Sequence, residues 1–221
     1  MKSIAIDGPA GAGKSTLARR IAGELGYIYV DTGALYRTVA LYLLRQHIDV
    51  ADTDKVEAAL PGIRVDIRFE EGLQQVYLNG ENVSGQIRTP EVSMMASASS
   101  ALPAVRRFLL EQQRELARTH DVVMDGRDIG TVVLPQANVK IFLTASAEER
   151  ARRRYEELIE KGQEVTFQDV LRDMKQRDAQ DENRAVAPLK PAEDAIRVDT
   201  TGDTLEQSVA RMTGIIRQRL A

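Results

Sequence analysis

Four short apolar runs in this chain end in aspartate, and a turn signal follows each. Ser3-Ile-Ala-Ile-Asp7 precedes Gly8, and Tyr27-Ile-Tyr-Val-Asp31 precedes Thr32-Gly33. Asp121-Val-Val-Met-Asp125 precedes Gly126, and Ala195-Ile-Arg-Val-Asp199 precedes Thr200-Thr201-Gly202. A fifth run, Val139-Lys-Ile-Phe-Leu143, lacks the aspartate. Short β-rich runs of this kind, followed by helical patterns, are βα units of a parallel sheet flanked by helices. The helical patterns cover residues 14–25, 33–46, 103–118 and 204–219. In the third, Val105, Phe108, Leu109, Gln112 and Leu116 share one face, and Pro103 suits a first turn. Parallel sheets bind ligands beyond the carboxyl ends of their strands, where the four aspartates fall. Each aspartate is also able to cap the turn after it, and Asp199 reads as a cap.

The first run leads into Gly8-Pro9-Ala10-Gly11-Ala12-Gly13-Lys14-Ser15-Thr16. The pattern G-x-x-x-x-G-K-[ST] between a strand and a helix is a phosphate cradle. Its glycines let successive backbone N–H groups converge on phosphate oxygens, and the helix N-terminus adds partial positive charge. Lys14 is placed for the β- and γ-phosphates, the Ser15 hydroxyl for Mg²⁺, and Thr16 for a further phosphate oxygen. Neither N-K-x-D nor T-K-x-D, which would read guanine, occurs in the chain. A kinase of a small acceptor fits this length better than a motor or a guanine-nucleotide switch.

Composition narrows the chemistry. The 221 residues carry no cysteine and two histidines, so thiol catalysis, disulfides and zinc–thiolate sites are excluded and a histidine triad is not expected. The net charge of −3 argues against general nucleic-acid binding. No apolar stretch is long enough for a membrane span and the N-terminus carries no cleavage-site pattern, so a cytoplasmic protein is expected. With no coiled-coil or long apolar face, the expectation is a monomer. Arginine outnumbers lysine 23 to 7, which suits phosphate or carboxylate recognition.

Two segments depart from the core pattern. Ile63-Arg-Val65-Asp-Ile67-Arg-Phe69 alternates with period two, and Val76-Tyr77-Leu78 runs into Asn79-Gly80, a strong hairpin signal. Residues 61–99 are therefore expected to form an antiparallel insert. Residues 146–184 read as two charged helices around Lys161-Gly162-Gln163, the second starting at a Thr166/Asp169 capping pair. Phe167, Val170, Leu171 and Met174 make its apolar stripe. Arg177, Asp181 and Arg184 fall within a sector of ~60° beside that stripe at about 100° per residue, a placement that suits a polar ligand better than bulk water. The core is then 1–60, 100–145 and 185–221, with an acceptor-binding insert at 61–99 and a lid at 146–184.

These blocks resemble bacterial cytidylate kinases. The resemblance rests on Asp31-Thr-Gly-Ala-Leu-Tyr36-Arg37, Gly85-Gln-Ile-Arg-Thr-Pro-Glu-Val92, Asp125-Gly-Arg-Asp-Ile-Gly-Thr131, Lys140-Ile-Phe-Leu, and Arg177-Asp178 through Asn183-Arg184-Ala-Val-Ala-Pro-Leu189. It implies an enzyme of pyrimidine nucleotide metabolism that transfers the γ-phosphoryl of ATP to CMP or dCMP with Mg²⁺, on a fold with core, insert and mobile lid. It further implies Arg37 and Arg127 at the acceptor phosphate, with Thr32 and Tyr36 lining the site. Arg177 and Asp181 go to the ribose, Arg184 near base or phosphate, and Ser97 to the base. Asp128 is able to accept the cytosine amino hydrogen while Arg106 donates to the ring acceptors, which would reject uracil.

Asp125 stands where a carboxylate organises Mg²⁺, directly or through its water shell, and it is equally able to support Lys14 or the strand-end turn. Arg150, Arg152, Arg153 and Arg154 form a run with Glu148, Glu149, Glu156 and Glu157 three or four residues away, the spacing of a salt-laced surface helix. Arg150 and Arg154 share a face and are the candidates for charge on the transferring phosphoryl. Two other readings stay open: a kinase of another acceptor (UMP, AMP or shikimate), and a non-enzymatic nucleotide switch that keeps only the cradle.

Overall fold

The structure is a computed structural model, and it describes residues 1–70, 73–160 and 162–220. In chain order, β1 (Ser3–Asp7), α1 (Lys14–Leu25), β2 (Ile28–Asp31), α2 (Thr32–Arg45) and α3 (Thr53–Ala59) come first. Then follow β3 (Val65–Glu70), β4 (Leu73–Leu78), β5 (Glu81–Asn82), α4 (Pro90–Ser99) and α5 (Pro103–Thr119). The last part holds β6 (Val122–Gly126), β7 (Val139–Thr144), α6 (Ala147–Glu160), α7 (Phe167–Asn183), β8 (Ile196–Asp199) and α8 (Leu205–Leu220). The chain divides into two compact units, residues 1–28 with 120–221, and residues 29–119.

The first unit is built on the parallel sheet that the apolar runs predict. The strand order is β2-β6-β1-β7-β8, and β2 enters this unit through Ile28, whose N–H donates to Asp121 O at 2.9 Å. The central strand β1 pairs in parallel with β6 and β7, Ile6 standing opposite Asp125 on one side and Ile141 on the other. Its Ile4, Ala5 and Ile6 are fully buried. That is why the run shows no alternation: both faces are covered. The carboxyl ends of β1 and β6 lie side by side, with Asp7 opposite Gly126. Helices α6 and α7 pack on each other around Ala151, Leu158, Val170 and Met174, with Phe167, Leu171 and Ala10 of the glycine-rich loop against them. Thr166 caps α7 as its sequence predicts, accepting from the Asp169 N–H at 3.1 Å. Lys161, before the Gly162 turn, lies outside the described residues.

The second unit gathers α2, α3, α4 and α5 around the small antiparallel sheet β3-β4-β5. Val65 pairs with Leu78 and Ile67 with Val76, so one face of the alternation points inward. Asn79 and Gly80 take φ of 50° and 90°, the left-handed pair that a two-residue hairpin turn requires. Leu35, Val39 and Leu43 of α2 close over Val76, Leu78, Val92 and Leu109. Because the buried faces of α2 and α5 belong to this core, the unit extends well beyond the 61–99 antiparallel segment.

Two helices here escape the sequence reading. α3 is too short to display a period. α4 carries small and apolar residues on all sides, although Thr89 caps it by accepting from the Val92 N–H at 3.2 Å and Pro90 opens its first turn. That Thr-Pro pair was the available signal.

Candidate active site

The glycine-rich loop after β1 leaves no room for a side chain at Gly8 and is tightly approached at Gly11. A Cβ on Gly8 would fall 2.0 Å from the Leu143 carbonyl oxygen, and one on Gly11 would fall 2.5 Å from Met174 Cε. Both have positive φ. At the end of the loop Lys14 is 6% exposed, and its Nζ donates to the Pro9 carbonyl at 2.7 Å. Burial, then the nearby Arg127 cation, brings the Lys14 ammonium down to about 7, while Asp125 opposes the shift. A buried ammonium among other cations is short of negative charge, which is the condition a polyphosphate corrects. Ser15 Oγ donates to Asp125 Oδ2 at 2.8 Å.

Beyond β6 the chain turns through Gly126, Arg127 and Asp128 into one π-helical turn, Ile129–Val133. Arg127 Nε donates to Asp181 Oδ2 at 2.8 Å. Arg184 Nη2 donates to Asp128 Oδ1 at 3.4 Å, and Nη1 lies 3.9 Å from Asp181 Oδ1. Arg184 stands just past α7, and its Nε donates to Ala187 O at 2.5 Å. Burial would raise the Asp181 carboxyl, but Arg127, then Arg177 and Arg184, outweigh it and hold it below the usual range. The charges that the sequence spreads over 127–184 are thus one buried cluster, and Arg127 and Arg177 also act on Lys14.

The arginines of α6 separate. Arg150 is buried, with Nε donating to Ala145 O at 2.9 Å and Nη1 to Ala10 O at 3.0 Å and Asp178 Oδ2 at 2.7 Å. Arg154 is 38% exposed and pairs with Glu157 at 2.7 Å. Arg153, which the sequence reading did not single out, donates to Thr200 O at 3.1 Å. It lines a cavity of about 210 Å³ with Ala12, Gly13, Thr16, Asp203 and Ser208.

In the 29–119 unit, Asp31 caps α2 by accepting from the Ala34 N–H at 3.0 Å. Its Oδ2 takes Arg37 Nη2 at 2.9 Å and Arg88 Nη2 at 3.4 Å. Arg37 Nε is buried without a hydrogen-bond partner among the described residues. Two guanidiniums on one carboxylate oxygen, with a donor left over, form a site with anion capacity. Arg88 was missed, though it lies inside the Gly85–Val92 block. Arg106 is buried, donates from Nη1 to Ser100 O at 3.2 Å and stands 5.5 Å above the Tyr36 ring. Ser97 is half-buried on α4 and Thr32 is buried at the start of α2.

A parallel sheet whose first strand opens into this cradle, in a unit carrying a buried arginine–aspartate cluster, defines a P-loop kinase. The family model for cytidylate kinase matches residues 4–218. A cytidylate kinase from Carboxydothermus hydrogenoformans is 50% identical over 98% of this chain and 97% of its own length. Another, from Caldanaerobacter subterraneus subsp. tengcongensis, is 51% identical over 97% and 94%. The chain belongs to the cytidylate kinase family. In fold alone, it is similar to the crystal structure of an uncharacterized protein from Eubacterium ventriosum. That likeness has a TM-score of 0.52 at 13% identity and covers 99% of this chain and 97% of the other.

Proposed function

We infer that this chain transfers the γ-phosphoryl of ATP to CMP and dCMP, giving ADP with CDP or dCDP. Membership of the cytidylate kinase family over residues 4–218 supports the reaction. One observation carries it to particular residues: Ser15 of the cradle donates to Asp125 at 2.8 Å, two residues before Arg127 on the same strand end, which supports cradle and acceptor cluster acting at one point. The bond between the γ-phosphorus and the β–γ bridging oxygen breaks as one forms to a phosphate oxygen of the acceptor. Such a transfer needs positioning and charge stabilisation more than a strong base.

Residues 8–16 hold the ATP phosphates in this reading, and Lys14 follows charge onto the migrating phosphoryl. The cavity beside Arg153 takes the adenosine side. On the 29–119 unit we assign Arg37, Thr32 and Tyr36 to the acceptor phosphate region, joined by Arg88, and Ser97 and Arg106 to cytosine. On the other unit we assign Arg127 to the phosphate, Asp128 to the cytosine amino group, Arg177 and Asp181 to the ribose and Arg184 near base or phosphate. Arg150, with three protein partners, holds the cradle against α7, which leaves Arg154 as the candidate for the transferring phosphoryl.

Mg²⁺ suits the residues present, because Ser15 Oγ and Asp125 Oδ2 are hard oxygen donors 2.8 Å apart. An ion that keeps several waters and takes phosphate oxygens needs few more. Ser15 would hold it directly, and Asp125 directly or through its water shell. When bound, it neutralises charge on the β- and γ-phosphates. We also propose a cytoplasmic monomer whose insert (61–99) and lid (146–184) tighten when both substrates bind.

A coupled assay with ATP, Mg²⁺ and CMP, dCMP, UMP, AMP or shikimate tests the reading. CMP and dCMP should be turned over fastest. A better acceptor outside that pair would overturn the cytosine assignment, and no turnover with any would leave a nucleotide switch.

A further inference from the structure

Three of the four strand-end aspartates cap a turn or bond a residue of the phosphate cradle. Asp31 caps α2, Asp199 accepts from the Thr201 N–H and hydroxyl, and Asp125 accepts from Ser15. Asp7 is different. It is 3% exposed, and its two oxygens accept from consecutive backbone amides: Oδ1 from Ile129 N–H and Oδ2 from Gly130 N–H, each at 2.7 Å. These amides open the Ile129–Val133 turn, directly after Arg127 and Asp128. The first N–H groups of a helical turn have no acceptor within it, so the carboxylate supplies what the turn lacks. Burial is the larger influence on Asp7 and raises its carboxyl to about 6 despite the two amides. A buried carboxylate held this way is costly unless its hydrogen bonds are kept. The fit is close: a Cβ on Gly130 would lie 3.3 Å from Asp7 Oδ2 and 3.2 Å from Lys140 Cδ.

We propose that Asp7 is a positioning residue of the acceptor site, its carboxylate fixing the turn that aims Arg127 and Asp128 at CMP. The proposal rests on the assignment of those two residues to the acceptor. Asp7 touches neither substrate. It sets the backbone from which the base-reading carboxylate and the phosphate-binding guanidinium project, and that backbone tolerates little error.

The test uses Asp7→Asn, whose amide group keeps one acceptor and turns a donor toward the other N–H. It also uses Gly130→Ala, which leaves the carboxylate in place and pushes the turn away from it. KM for CMP should rise about tenfold in Asp7→Asn and less in Gly130→Ala. The affinity for an ATP analogue should stay within about threefold, and the preference for CMP over UMP should fall. Hydrogen exchange at the Ile129 and Gly130 amides should accelerate. If Asp7→Asn does not fold, Gly130→Ala carries the same split between CMP and ATP. Unchanged exchange, an unchanged CMP KM, or CMP and ATP affinities falling together in the folded variant overturns the proposal. Asp128→Asn separates the causes: if it too leaves CMP binding untouched while exchange at the turn accelerates, the failure lies in the acceptor assignment.

Discussion

Replacing Arg150 by methionine tests whether that guanidinium braces the fold or attends the reaction. Arg150 and Asp178 are 7% and 14% exposed in their side chains and 2.7 Å apart. The substitution keeps the apolar length of the side chain but leaves Asp178 buried and unneutralised, with the Ala145 and Ala10 carbonyls stripped of donors. Breaking one side of a buried ion pair costs about 3–5 kcal/mol. For a chain of this size, each kcal/mol moves the midpoint by about 2–4 °C, so Tm should fall by about 6–20 °C. Asp178→Leu alone should be similarly costly, because it leaves the Arg150 cation buried. The double change should lose far less than the sum, since an apolar pair replaces an ionic one. Urea denaturation of the four proteins gives the coupling energy. If Arg150→Met stays within about 1 kcal/mol of wild type, as a surface change would, while kcat collapses, the bracing argument fails and Arg150 returns to the transferring phosphoryl.

Lys14→Ala should fold and lose phosphoryl transfer; a folded variant with wild-type turnover on ATP and CMP refutes the cradle's role. Asp128→Asn should weaken CMP by about 1.5–3 kcal/mol, roughly ten- to a hundredfold, with UMP falling less or rising. If kcat/KM for both acceptors drops in parallel, Asp128 does not read the base. Residues 61–99 and 146–184 should gain hydrogen-exchange protection with CMP and a non-hydrolysable ATP analogue; unchanged protection in both argues against closure. For Asp7, a folded value of about 6 against 3.8 means that the native state holds the proton more tightly. Its stabilising contribution is full below pH ~4 and lost as pH rises through ~6, about 3 kcal/mol at ~1.4 kcal/mol per pKa unit. The stability difference between wild type and Asp7→Asn, followed by urea titration from pH 4 to 7, should drift accordingly, and a flat difference contradicts it.

Local chemistry was legible in the sequence. The unalternating runs of β1, β6 and β7, the Asn79-Gly80 turn and the Thr166 cap depend on neighbours a few residues away, and each formed as read. Residues 8–16 declare a phosphate cradle because the glycine spacing and the strand and helix on either side can be read locally, although the atoms that crowd Gly8 and Gly11 come from Leu143, Arg150 and Met174 far along the chain. α4 was not legible, since a helix with small residues on every side shows no period and forms because Val92 and Ala96 fill the core beside α2.

What only the tertiary structure decided is which charge meets which. Sequence spacing put Arg150 and Arg154 on one face of α6. Packing buried the first against Ala10 and Asp178 and left the second beside Glu157. Four strand-end aspartates looked alike in sequence, yet Asp31 and Asp199 cap their own turns while Asp125 and Asp7 reach partners more than a hundred positions away, Asp7 through two consecutive backbone amides. A side chain's partner across the fold is chosen by how strands register and helices pack, and those are sums over many weak contacts that no short segment contains.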